Sequence, residues 1–458
     1  MLKYNSNSCF ADFRSLHFLM EDALELIERE AGRLTRHLQA VELQRLAQSS
    51  SWWWKQVQEA KGAWEDLARW RFGQKLTGPW PKLWASKLQE EEDTLNRFEG
   101  GALKSEQVLV FTSFVRCWVS DEQMLVAGLY NGALQAVHWK TGQKELLCGR
   151  HGDEVIAVAL NDEHILSGSG DPGYYARRPL DASVRLWRRS DGAALGCFEG
   201  HVDSVRCVAL FKSQPLMGFG MSGSLDCHVI LWNLTNGSVE CASLLSGPCR
   251  CMSILCEDVD SNGARARILA GSGEGVAELA VSVRQGAVTV TQLKFVSAYV
   301  EVSSLSYFHG SYRQEIDQGC WPKSFLGAPM KVAVGSVDGQ LALLQGGSCR
   351  AVHELFKSRH GNRDVVSIVM ISESRILLVS RAGIMTFLAW NGLLASDGPC
   401  RQLWSKTGWR MYTSTIGLWG PRRLISDGFD NVIRVFTLES KPHFEKMMMD
   451  SDEESASE

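Results

Sequence analysis

A histidine, an aspartate and a tryptophan recur together twice in this chain, the aspartate six positions before the tryptophan each time: His151, Asp181 and Trp187, then His201, Asp226 and Trp232. A His–Asp pair is the basis of many acid/base centres. Several such residues drawn together would instead suit a metal, because imidazole nitrogen and carboxylate oxygen are both common ligands. Thirteen cysteines raise a second metal possibility, yet no CxxC pair occurs, and the closest two, Cys249 and Cys251, stand two apart on an expected strand. Period two places both thiols on one face, where they are expected to pack as small apolar groups. Residues 168–173 satisfy GxGxxG literally. A dinucleotide fingerprint must open a helix directly afterwards, and YYARRP does not. No Walker loop, nucleophile elbow or HExxH is present. What the His and Asp residues do depends on the elements that carry them.

Around Asp226 the chain reads as an apolar strand (VDSVRCVAL), a second strand ending in small residues, and a turn at Asp226. A third strand closes on Trp232, six positions after the aspartate, and a glycine turn falls at Gly237, eleven after it. The same ruler fits Asp181 with Trp187 and Gly192, and Asn131 with Val137 and Gly142. Asp430 precedes Phe436 by six, and weaker copies centre on Glu274, Asp338 and Ala382. These seven anchors step by 50, 45, 48, 64, 44 and 48 residues, against the roughly 40–45 of a four-stranded propeller blade. The excess is assigned to DPGYYARRPL in blade two, CEDVDSNGARAR in blade four and residues 306–327 in blade five. A small twisted sheet cannot bury both faces alone, so such units stack around a channel and share a core. The pattern predicts an all-β, seven-bladed β-propeller over residues 102–440. A ring must also close, which predicts that residues 103–111 (LKSEQVLVF) pair with the last strand near Leu438.

The repeat resembles the WD-repeat family over about 335 residues. The resemblance implies that a loop His, a second-strand Ser, the turn Asp and the third-strand Trp share one hydrogen-bonded network. Blade two offers His151, Ser167, Asp181 and Trp187, and blade three offers His201, Ser222, Asp226 and Trp232. A satisfied buried network rigidifies a blade, so these residues are read as structural. No catalytic residue, metal or cofactor is expected, and the implied role is a protein-binding platform. In family members that read phosphorylated or acidic segments, arginines ring the channel mouth. They stand at the second residue of a first strand or just before the turn acid. Arg206 and Arg250 match the first place and Arg381 the second, while Tyr130 and Phe429 hold the pre-turn position in blades one and seven. The rigid fork of guanidinium suits phosphate. Arg177 and Arg178, in the blade-two insertion, either extend that patch or form a solvated loop.

Ahead of the propeller, residues 16–76 read as an all-α module, with Leu16, Leu19, Ala23 and Leu26 or Ile27 at the three-and-four spacing of an amphipathic helix. LMEDALELI, LQRLAQSSSWWW and AWEDLARWRFG, in that order, resemble an F-box whose usual opening proline is replaced by Met20. That resemblance implies docking on the Skp-family adaptor of a cullin–RING ubiquitin ligase, with the propeller holding the protein substrate. Helix-in-groove contacts rest on a few desolvated anchors; the residues expected here are Leu19, Leu24, Ile27, Leu43, Trp53 and Trp64. The alternative is a WD-repeat interaction scaffold with no link to ubiquitin. Residues 1–15 are expected to be flexible, 77–101 to form a linker helix, and 441–458 to form a disordered acidic tail. In that tail Ser451 and Ser455 each stand three positions before a glutamate, as in sites of acid-directed kinases.

A formal net charge of −4 argues against bulk attraction to nucleic acid or anionic membrane. The first residues lack the apolar core of a signal peptide, and no apolar run reaches the 18 residues of a membrane span. Reduced thiols in cytoplasm or nucleus are therefore expected.

Overall fold

The computed structural model describes residues 103–438, apart from 140, 148, 171–180, 261–262, 285, 308–323, 327–329, 356–363, 373, 391–399, 407–415, 420–422 and 428–429. The helices expected over 16–101, the adaptor-docking residues Leu19, Leu24, Ile27, Leu43, Trp53 and Trp64, and the tail lie outside the described residues, as do Arg177, Arg178 and Phe429.

The described strands form seven four-stranded antiparallel sheets, the blades of a β-propeller. Blade three shows the plan: Val205–Leu210 innermost, then Phe219–Ser224, His228–Asn233 and, outermost, Val239–Leu244. Each of the seven anchor positions lies between the second and third strands of its own blade. Closure follows the expected route. Leu103–Val110 is the outer strand of blade seven and pairs antiparallel with Val432–Leu438, from Leu103 opposite Leu438 to Val110 opposite Val432. Leu109, Phe111, Ile433 and Val435 then share one core with Val115, Trp118 and Leu125 of blade one.

Blade-to-blade packing depends on a repeated small residue. Gly128, Gly168, Gly223, Gly271 and Gly335 all stand one position before the end of a second strand. A Cβ on any of them would come within 2.5–2.6 Å of the first-strand residue of the following blade (Val155, Val205, Cys249, Val302 or Val365). Side-chain atoms do not tolerate that distance, so glycine lets each sheet lie flush on the next. A serine at or beside the end of the second strand is buried in six blades: Ser169, Ser224, Ser272 and Ser336, each after one of these glycines, and Ser380 and Ser426 are all 0% exposed. Several of these hydroxyls cap the turn beyond, as where Ser336 Oγ accepts from the N–H groups of Asp338 and Gln340.

Blade four departs from the expected plan. The extra residues assigned there to an insertion extend the sheet instead: its strands are Cys249–Asp260, Gly263–Ser272, Gly275–Arg284 and Ala287–Ser297. Alternation explains it, since Ala264, Ala266 and Val281 are buried on one face, while Arg265 on the other pairs with Asp258 across the hairpin at 2.7 Å. Glu278, fully buried in this blade, accepts hydrogen bonds from Ser324 Oγ (2.6 Å) and from the N–H groups of Phe325 and Leu326 (3.0 Å each). It thereby pins the last part of the blade-five insertion.

Candidate functional site: the channel mouth

The His–Asp pairs are held by their blades. In blade three, Trp232 Nε1 donates to Ser222 Oγ at 2.7 Å. Ser222 Oγ lies 2.7 Å from His201 Nε2, and His201 Nδ1 lies 2.9 Å from Asp226 Oδ2. These distances join the ring to the serine hydroxyl through one nitrogen and to the carboxylate through the other. Asp226 also accepts the N–H groups of Val202 (3.0 Å) and His228 (2.9 Å). Burial alone would raise the Asp226 pKa, but His201 and these amides hold it down at about 2. Blade two repeats the chain through Trp187, Ser167, His151 and Asp181 at 2.9, 2.8 and 3.2 Å. Every group is spent on its neighbour, and the network braces a turn. Among the described residues, no cluster of three or more His, Cys, Asp or Glu is placed to hold a metal.

Burial pushes the His151 pKa below its ordinary value, and Asp181 only partly restores it. The folded protein therefore resists protonating this ring, whereas the unfolded chain takes up its proton near pH 6.5. The sign is destabilising on acidification: stability is level above about pH 7 and falls as pH drops below 6.5. His151→Gln is expected to flatten part of that slope in urea midpoints measured between pH 7.5 and 5. An unchanged slope would show that other histidines carry it.

Six of the seven first strands contain a bulge just after their first residue, between Val115 and Cys117, Val155 and Ala157, Val205 and Cys207, Cys249 and Cys251, Val302 and Ser304, and Val365 and Ser367. A bulge inserts one unpaired residue and re-aims a side chain. The inserted residues are Arg116, Ile156, Arg206, Arg250, Ser303 and Val366, and all six line one cavity of about 490 Å³ at the channel mouth. The same bulge corrects the expectation for the cysteines. Cys249 and Cys251 do not share a face, because the extra residue breaks period two. Cys249 Sγ lies 3.7 Å from Cys207 Sγ of blade three, whereas Cys251 packs over Gly271 beside Val302 of blade five. The contact with Cys207, and then burial, raises the pKa of Cys249, and burial raises that of Cys251, so both thiols stay protonated at neutral pH.

Four guanidiniums meet at the mouth. Three have carboxylate partners from loops that lead into first strands. Arg116 pairs with Glu154 at 2.5 Å, Arg381 with Asp364 at 2.8 Å, and Arg250 with Glu301. The fourth, Arg206, has no hydrogen-bond or carboxylate partner among the described residues. Loss of water pushes its pKa down to about 10, with the charges of Arg250, Arg381 and Arg116 adding to the effect. It remains a cation at neutral pH. Among the described residues, four cations against three carboxylates leave this concave site with one uncompensated positive charge.

Apolar groups stand on the same rim. Tyr130, half exposed, meets the equally exposed Phe114 edge-on with ring centres 6.2 Å apart, and its N–H donates to the Phe114 carbonyl. Val202 and Tyr299 are exposed at 69% and 75%, and Tyr299 is held at φ 57°, a left-handed conformation rare for a tyrosine. The structure thus brings Arg206, Arg250 and Arg381 to one cavity, with Tyr130 on the rim. Sequence does not single out Arg116, although Val115-Arg116-Cys117 repeats Val205-Arg206-Cys207 letter for letter. Phe114 and the three pairing carboxylates carry no local signal, because each belongs to a loop whose place depends on the ring.

No family model matches the sequence. The general transcriptional corepressor TUP1 of Saccharomyces cerevisiae is 37% identical over 87 residues, which is 18% of this chain and 11% of that protein. The chain thus spans about a tenth of the length of the curated relative it matches. Among solved structures, the WD40 β-propeller domain of Doa1 aligns with a TM-score of 0.49 at 15% identity, over 74% of this chain and 98% of that one.

Proposed function

We propose that this chain is a substrate receptor of an SCF-type cullin–RING ubiquitin ligase. In this reading residues 16–76 bind a Skp-family adaptor, and the channel mouth binds an acidic or phosphorylated segment of the protein substrate. The observation that carries the substrate half is Arg206, a guanidinium without a carboxylate partner among the described residues, lining one concave cavity with Arg116, Arg250 and Arg381. An incoming carboxylate or phosphate would supply the missing acceptor through charge-assisted hydrogen bonds, which are the strong ones. The adaptor half rests on the F-box-like order of LMEDALELI, LQRLAQSSSWWW and AWEDLARWRFG. No residue of the chain performs bond chemistry here. Tethering raises the local concentration of a substrate lysine near the charged conjugating enzyme.

The adaptor half has a direct test. The full chain is expected to co-purify with a Skp-family adaptor and to lose it on Leu24→Asp or Trp53→Ala, with propeller circular dichroism unchanged. If no adaptor co-purifies, the reading that stands is an interaction scaffold outside the ubiquitin system. The stretch shared with a transcriptional corepressor favours that second reading.

A further inference from the structure

The cavity at the mouth has two levels. At the bulges it is charged, through Arg116, Arg206 and Arg250. Two residues further along the first strands, roughly 6–7 Å deeper, its lining is Val158, Val208, Met252, Leu305 and Ile368. Ile368 is buried and the other four are half-buried, so this apolar collar faces a space that the protein itself does not fill. The residues between the two levels are small, and their polar hydrogens are committed to the next blade. Cys117 Sγ donates to the Val155 carbonyl at 3.3 Å, Ser304 Oγ to that of Val365 at 2.8 Å, and Ser367 Oγ to that of Ile416 at 3.4 Å. What enters past the arginines therefore meets apolar surface.

A ligand that matches both levels needs a negative charge with an apolar group directly beside it. Phosphoserine and acidic side chains carry the charge at their tips, so nothing apolar reaches beyond a tip that has met the arginines. The last residue of a polypeptide differs, because its carboxylate and its side chain leave one Cα together. The charge can stop at the arginines while the side chain drops into the collar. Charge balance favours the same ligand. Among the described residues, four cations against three carboxylates leave one positive charge. A terminal carboxylate supplies one negative charge, whereas a phosphate carries about −1.5 to −2. We infer that the mouth binds the free C-terminal residue of its partner chain, with the α-carboxylate on Arg206 and an apolar side chain among Val208, Met252 and Leu305. Burying a leucine-sized side chain there is worth roughly ten- to hundredfold in affinity. This inference deepens the anion-binding reading of the mouth and rests on it.

The test titrates full-length protein with four labelled Gly/Ser peptides. One ends in leucine with a free carboxylate, the second is its C-terminal amide, the third ends in glycine with a free carboxylate, and the fourth is amidated and bears one internal phosphoserine. The leucine acid is expected to bind at least tenfold more tightly than each of the others. Arg206→Ala should remove that binding. Met252→Gln, which keeps the side chain's length and adds an amide, should bring the leucine acid down to the level of the glycine acid, with far-UV circular dichroism unchanged. Val208→Thr, which adds only a hydroxyl, serves the same purpose if Met252→Gln unfolds the ring. Equal affinity for the leucine acid and its amide, or for the leucine and glycine acids, overturns the inference. Arg206-dependent binding of the phosphoserine peptide, at least as tight as that of the leucine acid, also overturns it but leaves the mouth standing as an anion site. If no peptide binds, both fall.

Discussion

Trp232→Ala is expected to cost about 3–5 kcal/mol, the range for removing a fully buried large aromatic side chain. Trp232 is 0% exposed and stacks on Phe198 of blade two, with ring centres 5.7 Å apart, so the cavity would open between two blades. The polar loss compounds the apolar one. Ser222 loses the N–H that fixes its hydroxyl on His201, and a buried group left short of a partner costs roughly 1–3 kcal/mol. Trp232→Phe separates the terms, because it keeps most of the volume and removes the donor; about 1–3 kcal/mol is expected. Urea unfolding followed by far-UV circular dichroism measures both. A Trp232→Ala midpoint within error of wild type would mean that blade three does not anchor the ring.

Arg206→Ala is expected to weaken capture of an anionic segment by roughly 10- to 150-fold, the equivalent of about 1.5–3 kcal/mol for a charge-assisted hydrogen bond. The other arginines behave differently, for a reason visible in their pairing. Removing Arg250 or Arg381 frees Glu301 or Asp364, whose released charge repels an anion in addition to the lost contact. Glu301→Gln, in contrast, releases Arg250 to the site and is expected to raise affinity several-fold. That opposite sign separates an anion-binding mouth from a merely structural cluster, because a stability effect would lower binding in both variants. The measurement is binding of a phosphoserine peptide, alongside quantified recovery of co-purifying proteins from cells expressing each variant. If Arg206→Ala and Glu301→Gln both leave these readouts unchanged, the mouth is not the binding surface.

The elements and their order are legible in sequence because they depend on local chemistry. Alternation marks strands, Asp or Gly marks turns, and a fixed distance separates turn acid from third-strand anchor. Those features place all seven inter-strand turns, even in blades whose anchor has drifted to Ala382 or Glu274, and they anticipate the pairing of Leu103 with Leu438. The same locality explains the misreadings. A two-residue period puts Cys249 and Cys251 together, and only a bulge, a feature of pairing between strands, sends them apart. The extra length of blade four is composition alone until the partner strands Gly275–Arg284 and Ala287–Ser297 lengthen beside it. The glycines at Gly128, Gly168, Gly223, Gly271 and Gly335 sit in plain view, yet their purpose appears only when the next blade's first strand arrives over them.

By itself, then, the order of residues determined a seven-unit β-sheet ring and the blades that hold a His–Ser–Asp–Trp brace. It also marked arginines at places that could face a channel. Tertiary structure decided which of those arginines share a cavity, added Arg116 to them, and, among the described residues, assigned partners to three and none to Arg206. The physical reason is that strand and turn signals are written within a few residues, whereas charge balance at the mouth sums over loops far apart in sequence. Only the closed circle brings those loops within reach of one another.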